Sequence, residues 1–125
     1  MGYRSKVIIG VKEGKLSDQF DDVLRKHDFN PDKSNDYLKI NTDDWNTTTK
    51  MKTYVFDYVK WYESEDWCKE IMGWLEKQDD YTIDRQDGLK NVFCVGMGEE
   101  GEFHSEIGSY WEYTDYIRDI NLIKQ

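Results

Sequence analysis

The spacing of apolar residues alternates along the chain between a two-residue repeat and a helical repeat. Val7, Ile9 and Val11 recur at every second position, which predicts a strand, whereas Phe20 and Leu24 recur at helical spacing. In chain order, the predicted elements are a strand over 3–12, a helix over 17–28 capped by Ser17, strands over 36–41 and 51–62, a helix capped by Ser64, a weak strand over 80–85, a hairpin of 91–97 with 102–111, and a helical turn using Tyr116, Ile117, Ile120 and Ile123.

The order of the first six elements is β-α-β-β-α-β, which is the split βαβ or ferredoxin-like pattern of an α+β protein. We therefore predict an antiparallel sheet with both helices on one face and an extra C-terminal β-hairpin. The alternative is a less regular α+β sheet in which the last hairpin dominates. We expect residues 1–125 to form a single domain, which at 125 residues is large enough to bury a hydrophobic core.

The most regular strand pattern, residues 51–62, is mostly apolar on both faces. Its alternation places Tyr54 and Phe56 on one face and Trp61 on the other. Such a strand is typical of the middle of a sheet that is covered on both sides. Asp57 and Lys60 interrupt these faces, so we expect both to need polar partners.

The composition is that of a folded protein, because 15% of the residues are aromatic although 34% are charged. The two cysteines, Cys68 and Cys94, do not form a disulfide framework, and we interpret them as buried free thiols of a cytosolic protein. No stretch approaches the roughly 18 apolar residues of a membrane span, and the N-terminus lacks the pattern of a signal peptide. We therefore expect no membrane partner.

The net charge of −9 is divided unevenly between the two halves of the chain. Residues 1–62 carry a net charge of +1, and residues 63–125 carry −10. A negative surface repels nucleic-acid phosphates, so we expect no direct nucleic-acid binding. The acidic half indicates either a face that docks on a basic protein or a surface that keeps the protein dispersed.

Most enzyme signatures are missing from the sequence. There is no phosphate-binding P-loop, no dinucleotide fingerprint and no spacing typical of a metal site, so we predict no cofactor and no metal. "GMGEEG" is interpreted as a hairpin turn, because its two acids would repel phosphate and no helix follows. His104 is either a general base or ligand contact, or a strand histidine paired with an acid.

The residue types that remain are those of a recognition site. Tyrosines and tryptophans offer flat surfaces for stacking, and arginine forms fork-shaped contacts with phosphate. Arg4 is the cation least explained by an ordinary solvated role, because it stands one residue before a serine at the start of a strand rather than on an exposed helix. The predicted ligand-binding residues are Tyr3, Arg4, Lys60, Trp61, Arg85 and His104, and we predict no catalytic residue.

The opening "MGYRSKVIIGV" resembles the start of a family of small phage and prophage proteins that begin Met-Gly-Tyr-Arg-Ser. "YVKWYE", before the second helix, and the acidic hairpin region are also similar to that family. The resemblance implies a viral accessory protein, a counter-defence factor, that acts in the host bacterial cytoplasm. It implies no role for any particular residue.

Three classes of function remain open. The first is a counter-defence protein that sequesters a small nucleotide immune signal, of cyclic nucleotide or ADP-ribose type, without turning it over. The second is an acidic inhibitor of a basic host defence protein, for example an anti-CRISPR or a nucleic-acid mimic. The third, weaker class is an enzyme that degrades the same signals. We further predict a homodimer formed through the near-neutral N-terminal half.

Overall fold

Most of the residues that the structure, a computed structural model, describes belong to strands or helices. The described residues are 4–44, 50–62, 64–81, 92–108, 114–115 and 121–122. The elements are β1 (Ser5–Lys12), α1 (Lys15–Lys26), β2 (Leu38–Asp44), β3 (Lys50–Val59), α2 (Asp66–Tyr81), β4 (Val92–Gly98), β5 (Phe103–Ile107), and the short strands β6 (Thr114–Asp115) and β7 (Asn121–Leu122).

Five strands form one antiparallel sheet in the order β2-β3-β1-β4-β5. β1 lies in the middle because its residues are apolar on both faces. Val7 and Ile9 face one side and Ile8 faces the other, and all three are fully buried. The predicted α+β class, with an antiparallel sheet and two helices, is therefore confirmed. β6 and β7 pair separately as a two-stranded sheet.

The two faces of the sheet bury two separate groups of apolar side chains. On one face, Val7 and Ile9 pack together with Phe20 and Leu24 of α1 and with Ile71 of α2. The other face buries a smaller group, which is Ile8, Met51, Phe93, Val95 and Met97. Both helices thus contribute to the first core, as expected for helices that lie on one side of a sheet.

The predicted weak strand over 80–85 is wrong at its beginning, because α2 continues to Tyr81. The rest of that segment lies outside the described residues. The strand that follows α2 in the sheet is β4, which the sequence pattern assigned to an added hairpin. The hairpin itself is confirmed, since β4 and β5 pair and their turn is closed by the Gly98 N–H donating to Glu102 O at 2.9 Å. The residues of the predicted C-terminal helical turn also lie outside the described residues.

The predicted N-cap of α1 is wrong, because Gly14 and not Ser17 occupies that position. Gly14 has φ 123°, a conformation that glycine adopts without strain. Ser17 lies three residues further on, where its hydroxyl accepts from Gly14 N–H and donates to Gly14 O, both at 3.0 Å. The helix therefore starts two residues before the predicted position.

The end of β3 departs from the regular alternation. The pairing with β1 shifts by one residue between Ser5 and Val7, and the strand ends at Val59 rather than at residue 62. The predicted separation of Trp61 from Phe56 is wrong, because the two rings lie 5.5 Å apart in the same core. A bulge of this kind changes the direction in which the following side chains point.

Asp57 and Lys60 were expected to need polar partners. Both are exposed to solvent, so water can hydrate them and neither needs a partner within the core.

The prediction that both cysteines are buried free thiols is confirmed, and the cytosolic setting stays a prediction. Cys68 on α2 and Cys94 on β4 are both buried, and both are free thiols. Cys68 lies on the apolar stripe of α2 that packs in the first core, together with Ile71 and Leu75. No helix among the described residues is long and apolar enough to cross a membrane.

A polar bridge joins α1 to α2 at the protein surface. Glu70 of α2 contacts His27 Nε2 at 2.8 Å and Lys26 Nζ at 3.1 Å. The hydrogen bond with His27, and then that with Lys26, lowers the pKa of the Glu70 carboxyl below its ordinary 4.5. Its contribution to stability is therefore present above about pH 4.5 and is lost as the pH falls through the lowered pKa.

Replacing Glu70 with glutamine is expected to weaken the acid sensitivity of the fold. The loss at pH 7 should be at most about 1 kcal/mol, because the bridge is accessible to solvent. The difference in unfolding free energy between pH 7 and pH 3 should be smaller in the variant than in the parent protein. Urea unfolding across this pH range measures it, and an identical pH dependence in both proteins would contradict the role of Glu70.

Candidate functional site

A cavity of about 560 Å³ opens at the end of the sheet where β1 begins and β3 ends. Its volume lies in the range of small-molecule binding sites. We call this cavity the aromatic pocket, and its lining residues are Arg4, Phe29, Asn35, Tyr37, Leu38, Phe56, Val59, Lys60, Tyr62, Glu65 and Trp67.

Aromatic rings that pack edge to face form one wall of the aromatic pocket. The centroid of the Phe29 ring lies 5.5 Å from that of Phe56 and 5.3 Å from that of Trp67. Trp61 supports this layer from the core, since its centroid is 5.5 Å from Phe56 and 5.4 Å from Trp67. Because each ring is held by its neighbours, the wall is a rigid apolar surface on which a flat ring can stack.

The end of α1 sets the position of Phe29. Asp28 adopts a left-handed conformation with φ 67°, which ends the helix. The Phe29 N–H then donates to Leu24 O at 3.0 Å, and the Asp28 N–H donates to Arg25 O at 3.1 Å. These bonds turn the chain back, so that Phe29 packs against β3 and α2.

The loop before β2 fixes the backbone of Tyr37. Asn35 Oδ1 accepts from the N–H groups of Tyr37 at 2.8 Å and of Leu38 at 2.9 Å. The N–H of Asp57 on β3 donates to Tyr37 O at 2.9 Å. The Tyr37 side chain is nevertheless 65% exposed, which is the largest exposure of any big apolar side chain in the described part of the protein. Its ring is thus well placed to stack on a ligand at the mouth of the pocket.

The charges on the aromatic pocket differ in sign from those of the whole protein. Arg4 and Lys60 contribute two positive charges to the lining, and Glu65 contributes one negative charge. The protein carries −9 overall. Cations that border an aromatic cavity suit a ligand that combines a flat ring with an anionic group such as phosphate.

A second cavity of about 470 Å³ also borders Arg4. Its charged lining residues are balanced, with Arg4 and Lys6 against Asp57 and Glu99. The Arg4 backbone N–H donates to Glu99 Oε1 at 2.7 Å, which joins the start of β1 to the β4–β5 turn. We call this cavity the polar pocket.

His104 belongs to a chain of hydrogen bonds that joins Ser5, Ser105 and Trp61. Its Nε2 lies 3.1 Å from Ser5 Oγ and its Nδ1 lies 3.0 Å from Ser105 Oγ. Ser105 Oγ also accepts from Trp61 Nε1 at 3.0 Å. The imidazole rests against Gly96, where an added Cβ would come within 2.3 Å of it. The chain therefore fixes the orientation of Trp61 and of the histidine.

The structure brings only some of the predicted ligand-binding residues together. Arg4 and Lys60 both line the aromatic pocket, whereas Trp61 is 6% exposed and supports the aromatic wall from behind. His104 does not line this pocket and instead contacts the hydroxyls of Ser5 and Ser105. The predicted residues that lie outside the described part of the chain are Tyr3 and Arg85.

Sequence reasoning missed Phe29, Tyr37 and Glu65 as members of the site. The available signal was the turn-rich segment "FNPDKSND", which predicts a structured loop but not what that loop encloses. Tyr62 and Trp67 belong to the tyrosines and tryptophans for which stacking was predicted from residue type, and neither was among the predicted ligand-binding residues.

Two further findings bear on the chemistry of the site. Within the described residues, no group of three or more His, Cys, Asp or Glu side chains could hold a metal ion. Comparison of the chain with family models, with curated proteins and with solved structures finds no match. The resemblance to small phage proteins therefore stays a prediction.

Proposed function

We propose that this protein binds and sequesters a small phosphorylated nucleotide in the aromatic pocket and does not turn it over. The observation that carries the proposal is the pairing of Arg4 and Lys60 with a rigid wall of aromatic rings. The wall offers a stacking surface for the base, and the cations offer charge-assisted hydrogen bonds to the phosphate.

The absence of turnover is supported by the position of His104. The candidate general base among the predicted site residues has both ring nitrogens within 3.1 Å of serine hydroxyls. It is not among the described residues that line the aromatic pocket. A general base must come within hydrogen-bond reach of the proton that it abstracts, and His104 is not placed for that role at this pocket.

Replacing Arg4 with alanine tests the phosphate contact. We expect the affinity for AMP to fall about ten-fold, because a hydrogen bond to a charged group is lost. The affinity for adenosine, which lacks the phosphate, should stay the same. Isothermal titration calorimetry with both ligands measures the two affinities.

The matched control is Lys69→Ala, which removes an exposed positive charge from α2 outside the pocket lining. It should leave the affinity for AMP unchanged within about two-fold, since Lys69 does not line the pocket and its exposed charge is screened by salt. Equal loss of affinity in both variants, or adenosine bound as tightly as AMP, would contradict the proposal. So would the lack of any binding by AMP, cyclic di-AMP and ADP-ribose.

We propose a viral counter-defence role in the host bacterial cytoplasm as the setting of this binding. The proposal is supported by the resemblance of "MGYRSKVIIGV" and "YVKWYE" to small phage proteins. A protein with this role removes a nucleotide signal by binding it, without a chemical step. This fits a site that has a stacking wall and cations, and for which no residue is proposed as a general base.

A second candidate is an acidic inhibitor of a basic host defence protein. The observation that favours it is the β4–β5 turn, where Glu99, Glu100 and Glu102 are all exposed. Neutralising Glu100 and Glu102 would weaken such a complex and leave nucleotide affinity unchanged. Arg4→Ala and the variant neutralised at Glu100 and Glu102 therefore distinguish the two functions, because each should weaken only one kind of binding.

We also propose that the first four strands and the two helices follow the ferredoxin-like split βαβ arrangement. The support is the sheet order β2-β3-β1-β4 with every pair antiparallel, and the contribution of both helices to one core. In this proposal β5 is an added edge strand.

A further inference from the structure

The aromatic pocket and the polar pocket lie on opposite sides of β3 and meet at Arg4. Phe56 lines the first and the next residue, Asp57, lines the second. Consecutive residues of a strand point to opposite faces of the sheet. Arg4, at the start of β1, borders both cavities. A ligand that passes over Arg4 would therefore occupy two chemically different sites.

The polar pocket suits a neutral group that is rich in hydroxyls. Its two cations and two carboxylates balance, so it offers no net attraction for a second phosphate. Carboxylates such as Asp57 and Glu99 accept hydrogen bonds from sugar hydroxyls. Among the described residues, none of the side chains that line this pocket is aromatic, so this part of the lining offers a second base no stacking partner.

We infer that the ligand is a nucleoside diphosphate that carries a second, base-free sugar, as in ADP-ribose. This inference rests on the proposed function of the aromatic pocket. The base stacks in the aromatic pocket, the diphosphate passes over Arg4, and the second sugar enters the polar pocket beside Asp57. Dinucleotides with two bases, such as cyclic di-AMP, fit this arrangement less well.

Calorimetry of the full chain with ADP, ADP-ribose and cyclic di-AMP tests the inference. ADP-ribose should bind about ten-fold more tightly than ADP, because only ADP-ribose reaches the carboxylates of the polar pocket. Asp57→Asn should remove most of this difference and leave the affinity for ADP within about two-fold. The substitution is compatible with the fold, since the Asp57 side chain is exposed and its structural hydrogen bond comes from the backbone N–H.

The matched control is Asp18→Asn, an exposed carboxylate on α1 outside both cavities, which should change neither affinity. Equal affinities for ADP and ADP-ribose in the parent protein would overturn this inference but leave the proposed function standing. Tighter binding of cyclic di-AMP than of ADP-ribose would have the same two consequences. If ADP and ADP-ribose both fail to bind, the proposed function fails and this inference fails with it.

Discussion

Replacing Asp21 with alanine is expected to lower the free energy of unfolding by about 3–5 kcal/mol. Asp21 lies on the inner side of α1, where its side chain is 7% exposed. Its Oδ2 accepts from Lys52 Nζ at 2.6 Å and its Oδ1 accepts from the Tyr54 hydroxyl at 2.6 Å. Burial, and then the hydrogen bond to Asp21, raises the pKa of the Tyr54 phenol, which therefore stays protonated and donating.

The large effect follows from what the substitution leaves behind. The Lys52 side chain is 15% exposed and Tyr54 is fully buried, so both donors would lose their acceptor away from bulk water. An unpaired buried donor costs much more than the hydrogen bond contributes when it is formed. Asp21 also links α1 to β3 across the core, so its loss weakens the packing of the helix on the sheet.

The neighbouring residue provides the control. Asp22 has a side chain that is 78% exposed and contacts Arg25 at 2.9 Å on the helix surface. Asp22→Ala should cost less than about 1 kcal/mol, as exposed ion pairs do. Urea unfolding at pH 7 measures both variants. Similar losses of unfolding free energy in the two variants would contradict the buried link that Asp21 forms with Lys52 and Tyr54.

Replacing Gly10 with alanine is expected to lower the free energy of unfolding by about 2–3 kcal/mol through overpacking. Gly10 lies in the middle of β1 and pairs with Phe93 of β4. An added Cβ would stand 1.9 Å from Cε2 of the Phe93 ring. Because that ring is fully buried, it has to displace its neighbours in the second core to make room.

Gly73→Ala is the matched control for the same chemical change. Gly73 is exposed in the interior of α2, and an added Cβ there meets nothing within 4 Å. Alanine should raise stability by about 0.5–1 kcal/mol, because glycine is the weaker helix former. Thermal unfolding of the two variants should give shifts of opposite sign. A stable Gly10→Ala protein would mean that the ring of Phe93 does not rest on Gly10.

The position of β1 was predictable because apolar residues recur at every second position along it, although Ile8 and Gly10 between them are buried as well. Val7 and Ile9 on β1 occupy the positions that the pattern assigns to the helix-facing core. The repeat contains no sign of the shifted pairing between Ser5 and Val7, so the side on which Trp61 lies could not be predicted. The length of α2 was missed because the helix continues through polar residues, where the apolar stripe has ended.

The site was predictable only in part, because it is assembled from segments that are far apart in the chain. Arg4 and Lys60 were identified from residue type and from their positions in the predicted strands 3–12 and 51–62. Phe29 and Tyr37 belong to a loop whose course depends on backbone hydrogen bonds, which the pattern does not encode. His104 and Ser5 are 99 positions apart, so nothing local indicates their contact. The predicted homodimer, host cytoplasm and counter-defence role stay predictions.

The most direct test of the central claim is an NMR titration of the ¹⁵N-labelled protein with AMP. The account predicts saturable shifts of the Tyr37 and Lys60 amide signals and of the Trp67 indole N–H, all at the aromatic pocket. The amide of Asp18, on α1, should not move. Spectra in which Tyr37, Lys60 and Trp67 stay unchanged at saturating AMP would contradict the claim that this pocket holds a phosphorylated nucleotide.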